Sequence, residues 1–126
     1  GQDRLASTAD TVNLNTSAMV TQGVSLAASG STVNLAAGTY NQGNINLNKS
    51  IRVLGAGKDD TVIDADGFNN GFVVDSNLGD NGFVVINGMT VQNAEQTGIR
   101  VSDTANANRL RVRDVLVQNN GYNGLG

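Results

Sequence analysis

Cysteine and histidine are both absent from the sequence. Without cysteine the chain has no disulfides and no thiolate nucleophile, and without histidine it lacks the usual imidazole base and zinc ligand. Hydrolytic chemistry that relies on a Ser-His pair is therefore excluded for this chain. Proline is absent too, which is compatible with strands in which each backbone N–H donates to a neighbouring strand.

Charge and long apolar runs are also scarce. Eight Lys and Arg stand against eleven Asp and Glu, for a net charge of −3, which argues against a nucleic-acid partner because such modules need a basic surface. No apolar run approaches the roughly 18 residues of a membrane span, and the first eight residues lack the apolar stretch of a signal peptide. The acidic, Gly- and Asn-rich composition is common in bacterial secreted and surface proteins, so we expect that location.

The apolar residues that are present are small. Only 39% of the 126 residues are hydrophobic and 4% are aromatic, so the core must be thin and built mainly from Val, Ile, Leu and Ala. A chain of this length suits one domain. Such a composition favours stacked β-strands.

A 26-residue repeat is visible near the C-terminus. Val91-Gln92-Asn93 recurs as Val117-Gln118-Asn119, and Gly98-Ile99 recurs as Gly124-Leu125. The matched positions are mostly apolar, as expected if each unit stacks on the one before it. We interpret each unit as one coil of a β-solenoid, and we expect the asparagines at the shared position to lie at a bend.

Alternating apolar and polar residues predict short strands in each unit. The alternation slips by one residue at Asn87-Gly88 and at the matching Arg113-Asp114, which predicts a corner between two strands. The side chains predicted to point inward are Val84, Ile86, Met89, Val91, Ile99, Val101, Leu110, Val112, Val115 and Val117.

One amphipathic helix is predicted before the strands, within residues 16–30. Thr16 or Ser17 is the candidate N-cap and Gly30 the candidate stop. Its apolar face consists of Val20, Val24, Ala27 and Ala28. Laid across the first coil, such a helix covers the core and the open strand edges, and residues 11–14 are expected to add a short leading strand.

Residues 28–67 resemble the opening of pectate-lyase-like proteins. The motifs that carry the resemblance occupy residues 30–33, 38–40, 45–47, 49–51, 54–57 and 61–64, and include Gly-Thr-Tyr, Lys-Ser-Ile, Leu-Gly-Ala-Gly and Thr-Val-Ile-Asp. The resemblance implies an all-β fold, a right-handed parallel β-helix with an N-terminal capping helix. We therefore expect a cap at residues 1–30 and coils at 31–126, with the last coil incomplete.

The resemblance specifies function less well than fold, because this superfamily includes polysaccharide lyases, polygalacturonases, alginate epimerases, phage tailspikes and surface adhesins. The Gly-x-Gly-His and Arg-x-Lys elements of the galacturonases are missing, as is the histidine-bearing motif of the epimerases. Those two activities are therefore not carried over, and we assign no catalytic residue.

Four arginines are candidate glycan-binding residues: Arg100, Arg109, Arg111 and Arg113. Together with Arg52 they alternate with apolar residues, so they should point outward and form a basic strip. A guanidinium binds a carboxylate through two hydrogen bonds, which makes an acidic polysaccharide a conceivable ligand. The alternative is a solvated face balanced by Asp103 and Asp114.

Four aspartates are candidate calcium ligands: Asp64, Asp66, Asp75 and Asp80. Ca²⁺ prefers six to eight oxygen ligands, and residues 64–67 have the Asp-x-Asp-Gly pattern of a calcium loop. The spacing does not match an EF-hand. Asp and Asn are also ordinary corner residues of a β-helix, so a structural role is the alternative.

Three functions remain open from the sequence. The first is a non-catalytic segment of a bacterial secreted or surface protein that acts as scaffold, adhesin or glycan-contacting module. The second is a fragment of a polysaccharide lyase whose catalytic coils lie elsewhere. The third is an assembly element that associates with another copy through the open C-terminal coil.

Overall fold

The computed structural model describes residues 9–74, 83–101, 110–121 and 123–125. Within these residues the chain forms eleven strands and one short helix, which confirms the all-β class. The elements are β1 Ala9–Leu14, α1 Val20–Leu26, β2 Ala27–Leu35, β3 Gly38–Tyr40, β4 Ile45–Asn46, β5 Ile51–Leu54, β6 Thr61–Asp64, β7 Asn70–Val74, β8 Val84–Gln92, β9 Thr97–Val101, β10 Leu110–Gln118 and β11 Asn123–Leu125.

The strands form two sheets in which the paired strands are parallel. The larger sheet has the order β1-β2-β5-β8-β6-β3, with β10 also paired to β8, and the smaller has the order β11-β9-β7-β4. Strands that are neighbours in a sheet are separated in sequence by α1, in the case of β1 and β2, or by other strands, as parallel pairing requires. The predicted leading strand at residues 11–14 is confirmed as part of β1.

The 26-residue repeat is confirmed by the register of the last strands. Leu110 pairs with Val84 and Gln118 with Gln92, and each pair between them keeps the same offset. The offset also holds where β11 pairs with β9. The Gln118 side-chain amide donates to Gln92 Oε1 at 2.9 Å, so equivalent polar side chains are bonded as well as stacked.

The predicted corner is confirmed in the middle of β8. Residues before it pair with β5 and residues after it pair with β6. Gly88 at the corner has φ of 76°, and Asp114, its counterpart in β10, has φ of 50°. Asn93 and Asn119 also share a left-handed backbone, with φ of 66° and 58°, which places the predicted bend there; Asn and Asp tolerate this region better than most residues.

Inward side chains of both sheets and of α1 form one core. Its largest fully buried members include Tyr40, Phe72 and Ile45. The core rows follow the strand register, as in Val33, Val53, Ile86 and Val112. Of the residues predicted to point inward, Val84, Ile86, Met89, Val91 and Ile99 are at most 1% exposed, whereas Val101, Leu110, Val112, Val115 and Val117 are half-buried against the core.

The helix is shorter than the sequence predicts. It spans Val20–Leu26, and its N-cap is Met19, which makes no side-chain capping bond, so the predicted caps Thr16 and Ser17 are wrong. Gly30 is not its stop either, because Ala27 already begins β2. Val20 and Val24 are buried as predicted. No helix in the described residues is long and apolar enough to cross a membrane.

Distant side chains replace the predicted caps. Gln42 Oε1 accepts from the Val20 N–H at 2.7 Å, and Gln42 Nε2 donates to the Ala18 carbonyl at 2.6 Å. At the other end, Lys49 Nζ donates to the carbonyls of Val24 and Ala27 at 2.9 and 2.8 Å. One segment of the chain that precedes β5 therefore bonds to backbone groups at both ends of α1.

Candidate functional site

Outward-facing side chains of the larger sheet form a surface that we term the arginine face, comprising Arg52, Val85, Asn87, Arg111 and Arg113. Each directly follows an inward-facing residue on its strand. Register aligns them in two rows: Arg52 pairs with Val85, which pairs with Arg111, and Asn87 pairs with Arg113. The three guanidinium groups therefore belong to one side of one sheet.

Strand geometry sets the spacing of the three arginines. Arg111 and Arg113 are two residues apart on β10, so their Cα atoms are about 6.6–6.8 Å apart. Arg52 lies two strands from Arg111, which corresponds to about 9.4–9.8 Å across the sheet. A ligand of several saccharide units is long enough to reach more than one of these groups.

Arg52 is held in place by two contacts. Its Nη1 donates to the Gly30 carbonyl at 2.9 Å, and its guanidinium carbon lies 4.6 Å from the centre of the Phe83 ring. Both contacts leave the positive charge intact and restrict the motion of the side chain. Arg52 thus provides a fixed positive charge at one side of the face.

Arg111 and Arg113 are exposed. In the part of the chain that the structure describes, neither side chain makes a hydrogen bond or an ion pair. Each guanidinium can therefore donate two hydrogen bonds to one carboxylate in a bidentate arrangement. The predicted balancing residue Asp103 lies outside the described residues, and Asp114, at the corner, is exposed.

The structure does not bring all the predicted arginines together. Arg100 is exposed on β9 in the smaller sheet, where it pairs with Val73, so it lies on a different sheet from Arg111 and Arg113. Arg109 lies outside the described residues. The predicted basic strip is therefore reduced, among the residues described, to Arg52, Arg111 and Arg113.

Of the two predicted calcium ligands that are described, Asp64 ends β6 and Asp66 lies in the turn that follows it. Asp64 Oδ1 accepts from the Asp66 N–H at 3.1 Å and from Asn93 Nδ2 at 3.2 Å. Asp75 and Asp80 lie outside the described residues, which contain no group of three or more acidic, His or Cys side chains placed to hold a metal. Asp64 here stabilises the turn and joins it to the residue after β8.

A polar groove between α1 and β4 was not predicted from the sequence. We term it the amide groove; it has a volume of about 500 Å³ and is lined by Thr21, Val24, Ser25, Asn44, Asn46, Asn48 and Lys49. The alternation in residues 44–48, Asn-Ile-Asn-Leu-Asn, was the available signal, since alternate residues of a strand share one side. The sequence did not predict that α1 lies opposite these asparagines, because the side chains that bond to its ends, Gln42 and Lys49, are distant in sequence.

Tyr40 is fully buried. Its hydroxyl donates to the Ala36 carbonyl at 2.8 Å and lies 3.3 Å from the Leu14 carbonyl. Burial raises the pKa of the Tyr40 hydroxyl, because the charged phenolate is poorly solvated in the core. Tyr40 is therefore a structural residue that joins β3 to the ends of β1 and β2.

No family model matches the chain, and no curated protein or solved structure matches it either. The resemblance to pectate-lyase-like proteins consequently depends on the motifs in residues 28–67 and remains a prediction.

Proposed function

We propose that this chain is part of a secreted or cell-surface scaffold protein that contacts acidic polysaccharides through the arginine face. The observation that carries the proposal is the register of the larger sheet, which aligns Arg52, Arg111 and Arg113 on one outward side. The proposed ligand class follows from guanidinium chemistry, since a polyuronate presents carboxylates at regular intervals.

We further propose that the scaffold is a right-handed parallel β-helix of the pectate-lyase-like kind. The parallel pairing, the constant 26-residue offset of the last strands and the matched corners at Gly88 and Asp114 support this architecture. The proposed handedness agrees with the general preference of parallel crossovers. A crystal structure with left-handed connections would contradict it.

A titration with polygalacturonate tests the ligand. We expect the full chain to bind it in isothermal calorimetry, and Arg111→Ala or Arg113→Ala to weaken binding by about tenfold, the effect of losing a charge-assisted hydrogen bond. Arg100→Ala is the matched control, because it removes the same charge from an exposed position on the other sheet.

Two outcomes contradict the acidic-glycan proposal. Absence of binding at low salt, where electrostatic attraction is strongest, would remove polyuronates as ligands. Equal weakening by the Arg100, Arg111 and Arg113 substitutions would show that only the net charge matters and that the arginine face is not a site.

Self-association is a second candidate function, favoured by the exposure of β10. Its Val112, Val115 and Val117 are half-buried, Leu116 is 42% exposed, and β8 is its one sheet neighbour among the described residues. Another strand placed beside β10 would bury these residues. Light scattering should then show a mass that rises with concentration; a constant single-chain mass contradicts this candidate.

A further inference from the structure

The amide groove has two polar walls of different origin. One wall is the extended segment around β4, where Asn44, Asn46 and Asn48 are exposed while Ile45 and Leu47 between them are fully buried. Alternate residues of an extended segment project to the same side about 6.6–6.8 Å apart. Asn46 and Asn48 thus lie on one side of this segment, whereas Asn44 has φ of 52° and its Oδ1 accepts from the Asn70 N–H at 3.1 Å.

The second wall is one face of α1. Thr21 and Ser25 are four residues apart, so their hydroxyl groups lie one turn apart on the same face. Val24 contributes an apolar floor and is only 3% exposed. Hydroxyl groups and amide groups therefore line the same groove.

The groove is held open by bonds at both of its ends. Gln42, which is 8% exposed, bonds to both sides of the start of α1, and Lys49 bonds to its last carbonyls. The β4 segment is anchored from the other side, since the Asn44 and Leu47 N–H groups donate to the Asn70 and Val73 carbonyls, each at 2.7 Å. Both walls are therefore preorganised, which lowers the entropic cost of binding.

The charge of the groove indicates which ligands it suits. Lys49 is its one cation among the described residues, and its ammonium, which has three donors, already contacts three carbonyls, those of Val24, Ser25 and Ala27. None of the described lining residues is acidic. The groups that remain available are amides and hydroxyls, and the side chains of Asn46 and Asn48 make no hydrogen bond within the described residues.

We propose that the amide groove binds a neutral oligosaccharide. An amide both donates and accepts, as a sugar hydroxyl does, so the Asn46 and Asn48 amides match successive hydroxyl groups of a sugar chain without requiring charge. The volume of about 500 Å³ falls within the range of ligand sites. The site is separate from the arginine face and does not depend on the binding of acidic glycans there.

Nuclear magnetic resonance titration of the ¹⁵N-labelled full chain tests the proposal, with cellotetraose, mannotetraose and xylotetraose as neutral probes and tetragalacturonate as the acidic comparison. We expect at least one neutral tetramer to shift the side-chain amide signals of Asn46 and Asn48 in a saturable way. Asn46→Ala and Asn48→Ala should each weaken that binding about 2- to 10-fold, as expected for one neutral hydrogen bond. Asn69→Ala is the matched control, because Asn69 is exposed and does not line the groove.

The experiment separates this proposal from the proposed function. If none of the three neutral tetramers shifts the two amide signals, or if tetragalacturonate shifts them at lower concentration, the neutral-sugar site is overturned. It is also overturned if Asn69→Ala weakens binding as much as Asn46→Ala does. Arg111→Ala should leave neutral-sugar binding unchanged. Loss of binding at the amide groove can therefore be detected independently of loss of binding at the arginine face. A urea melt of each variant identifies any loss of binding that is due to unfolding.

Discussion

Two regions of this molecule achieve parallel stacking in different ways. In the front region, residues 9–54, the register is uneven: Thr11 pairs with Thr32 but Ala9 pairs with Ala27, which marks an irregularity in β1. In the repeat region, β8 to β11, each pair of strands keeps an offset of 26 residues. The first region depends on individual long-range polar contacts, whereas the second depends on equivalent side chains placed one above another.

The difference follows from what each region has to pack against. A repeat unit meets a copy of its own pattern, so matched apolar residues and a matched corner are sufficient to set the register. The front region contains a helix end, and its backbone groups need partners that strands do not supply. Gln42 and Lys49 supply them, and neither contact is repeated elsewhere in the described residues.

The largest effect is expected where the repeat region approaches Gly55, the residue after β5. A Cβ at Gly88 would lie 2.8 Å from the Gly55 carbonyl oxygen, in addition to the strain of φ at 76°. Left-handed strain of about 1–2 kcal/mol and a steric clash of about 1–3 kcal/mol should together reduce the free energy of unfolding of Gly88→Ala by about 2–5 kcal/mol. Urea denaturation followed by circular dichroism measures the loss.

Gly67→Ala is the control for this substitution. Gly67 has φ of 88°, but a Cβ there would meet nothing within 4 Å, so only the strain of about 1–2 kcal/mol is expected. If Gly88→Ala and Gly67→Ala lose the same free energy of unfolding, the close approach of Gly88 to Gly55 does not restrict the side chain at position 88.

The next effect is expected at the clamp on α1. Gln42→Ala leaves the buried Val20 N–H and the Ala18 carbonyl without their partner, and each unsatisfied group costs about 1–3 kcal/mol. Because the Ala18 carbonyl is only part-buried, we expect a total loss of about 2–4 kcal/mol by urea denaturation. Gln22→Ala, at an exposed position of the same helix, should stay within about 0.5 kcal/mol of the parent chain. A comparable loss in both variants would contradict the role given to Gln42.

A smaller effect is expected to distinguish β8 from β10 in the repeat region. Val91 and Val117 occupy the same repeat position and pair with each other, but Val91 is fully buried and Val117 is half-buried. Val91→Ala should lose about 2–3 kcal/mol of unfolding free energy through lost burial and a cavity, and Val117→Ala about 1 kcal/mol. If the two losses are equal in a dilute sample, β10 is covered as well as β8, contrary to the exposure described.

The sequence was sufficient to predict the structure where the same residue pattern occurs twice in the chain. The alternation of Val84, Ile86, Met89 and Val91, with its slip at Asn87-Gly88, predicted both the buried side and the corner, since each feature is local and appears twice. The sequence was insufficient to predict the helix ends. The hydroxyl groups of Thr16 and Ser17 suggested a local N-cap, but the side-chain amide of Gln42, which is distant in sequence, bonds to the start of the helix. The arginine strip was predicted from alternation alone, which cannot tell that Arg100 lies in a different sheet from Arg111.

The smallest effect concerns pH and the front region. Burial raises the pKa of Tyr40 above its ordinary value of 10.0, so at alkaline pH the hydroxyl ionises in the unfolded chain before it does so in the folded chain. Its contribution to stability is therefore complete below about pH 10 and is lost as the pH rises through the raised pKa.

Tyr40→Phe removes the bond to the Ala36 carbonyl and should cost about 0.5–1.5 kcal/mol near neutral pH. Because phenylalanine cannot ionise, the difference between the two chains in urea midpoint should shrink or reverse above about pH 10. A difference that stays constant up to about pH 11 would show that the Tyr40 hydroxyl does not link proton binding to the stability of the front region.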